Sequence, residues 1–151
     1  MVLQNIQNFF NQFLQDTPDT GDKEQRLQLA TAALLIEVMR SDDVDHAEEQ
    51  QMLLSRLQAK FNLDHQRSQQ LIALAEEEVR QATDYHQFTR LINEQFSQAQ
   101  KKHIIELMWD IAWADNQIDP WEEHLIRRIA DLIYVSHEDF IAAKLAAMKS
   151  S

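Results

Sequence analysis

A chain of 151 residues with one glycine and two prolines has very few positions suited to a tight reversal of direction. Sandwiches and barrels use glycine for positive φ and proline for a preset φ at turn after turn. Runs of β-branched residues, which strands favour, are also scarce here. Apolar residues instead recur at spacings of three and four, which gathers them on one face of a helix. The expected fold is all-α: a single bundle of seven or eight helices.

The one glycine and one proline fall together in Gln15-Asp16-Thr17-Pro18-Asp19-Thr20-Gly21-Asp22, which reads as a linker. It separates an amphipathic first helix from the bundle, so residues 1–21 form one unit and residues 22–151 the helical domain. Val2, Leu3, Ile6, Phe9, Phe10, Phe13 and Leu14 form the apolar face of that first helix. With Asn and Gln rather than Lys and Arg on its polar face, it suits a lid on the bundle better than a membrane-surface anchor. No basic region and no small-residue cleavage site accompany it, so it is not read as a signal peptide. No apolar stretch approaches the roughly 18 residues of a membrane span.

Beyond the linker, the periodicity predicts helices at about 22–41, 46–61, 65–82, 85–96, 99–115, 120–134 and 137–148. Asp64, Asp84, Ser97, Asp119 and Ser136 stand where N-caps are needed, because a short side-chain oxygen accepts the orphan amide hydrogens of a first turn. Leu27–Met39 and Ile104–Ala114 are apolar almost all round, the pattern of helices enclosed by others. They are expected at the centre. Trp109 and Trp113, four residues apart on the second of these, read with Trp121 as core packing.

Each central helix carries one carboxylate five residues before its closing Asp, Glu37 before Asp42 and Asp110 before Asp115. A carboxylate among apolar neighbours must be paired, hydrogen-bonded or protonated. A base such as Arg56, Arg127 or Arg128 is the expected partner.

A net charge of −11, from 25 acids and 14 bases, is the wrong sign for binding a phosphate backbone. Nucleic acid is not an expected partner; divalent cations or basic protein patches are. The absence of cysteine removes disulfides, thiolate metal sites and a thiol nucleophile. No phosphate loop, nucleophile motif or His-carboxylate spacing of an active site is present, so the chain is not read as an enzyme.

The acids are not scattered. Ser41-Asp42-Asp43-Val44-Asp45-His46-Ala47-Glu48-Glu49 recurs in altered form as Ala114-Asp115-Asn116-Gln117-Ile118-Asp119-Pro120-Trp121-Glu122-Glu123. Each copy ends an apolar helix on Asp, turns, and restarts with Asp, two spacers and Glu-Glu. The recurrence suggests an internal duplication, with units at about 25–75 and 99–148. Helix capping accounts for Asp45, Glu48, Asp119 and Glu122, which have the spacing of a capping box and gain from the helix dipole. It does not account for Asp42 and Asp115 at carboxyl ends, nor for Glu49 and Glu123 across the turn. Ca²⁺ or Mg²⁺ would relieve that surplus, since both take carboxylate and carbonyl oxygens. The candidate metal ligands are therefore Asp42, Asp45, Glu48 and Glu49 in one junction and Asp115, Asp119, Glu122 and Glu123 in the other. The loops are too short, and lack the glycine, for an EF-hand, and no Glu is followed three residues on by His as di-iron bundles require.

WDIAWADNQIDPWEEHLIRRIADLI and, in weaker form, LLIEVMRSDDVDHAEEQQMLLSRLQ resemble the TerB-like family of tellurite-resistance proteins. The resemblance covers roughly residues 25–148; the first copy departs from it by one missing turn residue and by Asp43 where the family favours Gly or Asn. It implies a helical bundle with internal pseudo-two-fold symmetry and acidic clusters that serve as divalent-metal sites. It also implies protein partners in bacterial stress-resistance assemblies, in the cytoplasm at or near the inner membrane, and kinship with domains found beside chaperone-like modules.

Overall fold

The computed structural model describes residues 22–40, 47–61, 65–80, 87–113 and 117–149. The predicted first helix and linker lie outside these residues, as do the caps expected at Asp64 and Asp84. Among the described residues there are seven helices and no strand: α1 (Asp22–Arg40), α2 (Ala47–Phe61), α3 (His65–Arg80), α4 (Gln87–Gln95), α5 (Gln98–Ala112), α6 (Pro120–Leu132) and α7 (His137–Lys149). The ends agree with the periodicity to within about a turn, the usual scatter at helix termini.

α1 and α5 form the centre, as their unbroken apolar runs require. α1 packs on α2, α3, α4, α5 and α6, and α5 also meets α2, α6 and α7. From Leu29 to Met39 every side chain of α1 is buried, including Thr31 and Glu37. Along α5, Ile104, Ile105, Met108, Trp109, Ile111 and Ala112 are buried. Outer helices bury a stripe each: Leu53, Leu54, Leu57 and Phe61 on α2, Leu125, Ile126 and Ile129 on α6, and Phe140, Ala143 and Ala147 on α7. Area removed from water stabilises by roughly 25 cal/mol per Å², so the two central helices carry much of the stability of the bundle.

The helix ends show why the chain changes direction where it does. Ser97 starts α5 with a full capping box: its Oγ accepts from the Gln100 amide, and the Gln100 side chain accepts from the Ser97 amide. Ser136 Oγ accepts from the Asp139 amide at 3.2 Å at the start of α7. α6 ends in a Schellman motif, with Tyr134 N–H donating to Asp131 and Val135 N–H to Ala130. Its left-handed position, where glycine is usual, is taken by Tyr134 at φ 62°. No described helix is long and apolar enough to cross a membrane.

The buried Glu37 is held by donors that its expected pairing with a base did not include. Its carboxylate accepts the Phe88 amide at 2.7 Å, the Thr89 amide at 3.2 Å and the Thr89 hydroxyl at 2.7 Å. These donors belong to the N-terminus of α4, where amide groups and a helix dipole supply positive charge to the buried carboxylate. Periodicity cannot show this, because the acceptor and its donors are 51 and 52 residues apart.

Candidate functional site: the cleft between the acidic junctions

The second junction is built from its anchor outward. Ile118 and Trp121 pack partly buried against the core, which fixes the turn before α6. Asp119, extended at φ −70° and ψ 134°, caps the helix by accepting the Trp121 amide at 2.8 Å. Pro120 fills the first helical position, where its missing N–H costs nothing. Glu122 and Glu123 follow in the first turn, where the dipole favours negative charge.

These two glutamates point to different neighbours. Glu122 is buried, and its Oε1 accepts from Arg56 Nη1 at 3.1 Å across to α2. Arg56 Nη2 in turn donates to Met52 Sδ at 3.3 Å. Glu123 lies 2.7 Å from Lys144 Nζ on α7, and that ammonium also stands 5.5 Å from the Trp109 ring centroid. The charge left over at Glu123 thus has a basic partner within the fold. Of the bases expected beside the central-helix carboxylates, Arg56 pairs with Glu122.

The half-buried Asp110 has its carboxyl raised above the ordinary value of 3.8, first by desolvation and further by Glu106, while Lys60 and His103 pull it down. Arg127 stands over the Phe140 ring, 5.6 Å from its centroid.

On α2, Glu48, Met52 and Arg56 recur at intervals of four, opposite the buried Leu53, Leu54 and Leu57. Together with Gln117, Ile118, Asp119, Pro120 and Glu122 they line a cleft of about 420 Å³. The starts of α2 and α6, the restarts of the two junctions, are therefore opposite walls of one cleft. Three carboxylates and one guanidinium line it, and between them stand the apolar Met52, Ile118 and Pro120.

Of the predicted ligands, Glu48, Asp119 and Glu122 come together in this cleft, while Glu123 faces Lys144. Asp42, Asp45 and Asp115, with the side chain of Glu49, lie outside the described residues. Among the described residues no three His, Cys, Asp or Glu side chains are grouped so that they could hold a metal ion. Glu48, Asp119 and Glu122 line the cleft without forming such a group of three. The sequence reading missed Met52 and the pairing of Arg56 with Glu122. The spacing of Glu48, Met52 and Arg56 was its one available signal, since it marks a polar stripe along a helix whose other face is apolar.

No curated protein and no solved structure matches the chain. The family described as Tellurite resistance protein TerB matches over residues 28–145, from the start of the buried part of α1 to the middle of α7, so that both walls of the cleft lie within the match. The chain belongs to the TerB family.

Proposed function

We propose that this protein is a non-catalytic TerB-like module that works by binding a protein partner at the cleft between its two acidic junctions. The observation that carries this reading is the cleft itself: residues from both junctions line it, and Met52 is 55% exposed at its wall. Exposed apolar area flanked by charge is a common recognition surface. Membership of the family supports a setting in a bacterial stress or tellurite-resistance-type assembly, in the cytoplasm and near the inner membrane. A photo-crosslinking residue at position 52, in the native host, should capture a discrete partner, and one at the exposed Leu145 of α7 should not. Equal capture at both positions, or none at 52, would sink the reading.

A second reading has its own support. Asp42 and Asp115 stand at dipole-disfavoured helix ends in the sequence, and Glu48 and Asp119, later in the same two sequence motifs, line the cleft, so Ca²⁺ or Mg²⁺ would be the ligand of a completed carboxylate set. Calorimetric titration of metal-free protein with each ion tests it. Saturable heat that Asp115→Asn/Asp119→Asn abolishes is the expected result; heat of dilution alone would dismiss it.

A further inference from the structure

We infer that the cleft takes a lysine or arginine side chain from a basic segment of the partner protein. This rests on the proposed role of the cleft and adds the chemistry of its occupant. A long cationic side chain has two parts, an aliphatic stem that gains by covering apolar surface and a charged head that needs oxygen acceptors. The cleft supplies both. Met52, Ile118 and Pro120 offer apolar wall, and Glu48 and Asp119, both exposed, offer carboxylates from opposite junctions. Glu122 and Arg56 form an ion pair in the lining, so the charge that remains for a visitor is that of Glu48 and Asp119. A volume of about 420 Å³ sits near the lower end of small-ligand sites and suits one or two side chains of a docked segment. The chain's net charge of −11 would speed the approach of a basic segment from any direction; the cleft gives it a place to stop.

The test uses the full chain in EDTA, so that no divalent ion contributes, and a fluorescein-labelled peptide of alternating Lys, Leu and Ala. Its anisotropy should rise saturably with protein, and the same peptide with every lysine acetylated should bind at least about tenfold more weakly, the loss of roughly 1.4 kcal/mol. Glu48→Gln/Asp119→Asn should weaken the lysine peptide by a similar factor while the melting temperature holds, because asparagine still caps α6. Met52→Ser should weaken both peptides alike. Equal affinity for the two peptides, or no effect of the double variant, would overturn the inference, since binding would then reflect bulk acidity or apolar contact elsewhere. Capture of a partner from position 52 together with failure of the lysine peptide would overturn only the basic specificity. Failure of both removes the partner site as well.

Discussion

Arg56→Met should destabilise the protein by about 3 kcal/mol, an effect far beyond that of an ordinary surface salt bridge. The side chains of Arg56 and Glu122 are 18% and 7% exposed, with Nη1 and Oε1 3.1 Å apart. With charge centres near 4 Å and an effective dielectric near 20, their attraction is roughly 4 kcal/mol before desolvation is counted. Removing the guanidinium leaves a buried carboxylate beside the methionine stem. Loss of one member of a buried pair costs about 3–5 kcal/mol, and the partial exposure of Arg56 places this pair at the lower end. For a domain of this size that is a fall in Tm of about 6–12 °C. Arg56→Leu/Glu122→Leu removes both charges and should recover most of the loss, ending within about 1 kcal/mol of the parent. Urea unfolding followed by circular dichroism on the parent, both single leucine variants and the double variant gives the coupling energy directly. A coupling below about 0.5 kcal/mol, or a melting temperature for Arg56→Met within about 2 °C of the parent, would refute the argument. The same variant bears on the cation reading. Without Arg56 the cleft loses its own positive charge, so Ca²⁺ should restore part of the lost stability if a divalent ion binds there, and none of it beyond ionic screening if the site is metal-independent.

Glu37→Gln should cost about 2–4 kcal/mol, because one acceptor oxygen becomes an NH₂ group facing amide donors and the charge at the α4 N-terminus is lost; urea unfolding and faster amide exchange in α4 would report it, and parental stability would contradict it. Asp110→Asn should leave the protein more stable at pH 7, by a degree or two in Tm. The sign follows from the raised carboxyl: above 3.8 the unfolded chain loses its proton first, so the parent loses stability as pH rises towards the folded value. The variant's advantage should shrink to nothing as pH falls below 3.8, and a constant gap across pH would show that ionisation is not its cause. Tyr134→Gly relieves a left-handed tyrosine that is 72% exposed, and should gain about 0.5 kcal/mol after the greater freedom of the unfolded glycine is deducted; a loss of stability would mean that the Lys101 ammonium, which stands 5.8 Å from the centroid of the Tyr134 ring, matters more.

What was legible in this sequence was whatever depends on near neighbours. Leu27–Met39 announces a buried helix because its apolar residues leave no polar face, and Ser97, Asp119 and Ser136 announce starts because a cap acts within three residues. What was not legible were partners brought together by packing. Glu122 meets Arg56 from 66 residues away, and Glu123 meets Lys144 from 21 away. Charges counted along the chain place Glu123 in an acidic surplus, and only packing shows that α7 sets Lys144 beside it. Charge is visible in a sequence and a helix dipole is not, so the sequence points Glu37 to a base and cannot show the α4 amides that it accepts. The doubled junction shows this most clearly: read linearly it gives two acidic clusters, with a divalent ion at one or both. Folding brings the start of α2 and the start of α6 to a single cleft, so Glu48 and Asp119 line the same space. Substitutions in the two copies should then act on one binding event, and their effects on it should depart from additivity by about 0.5 kcal/mol or more, as expected for groups that share a ligand.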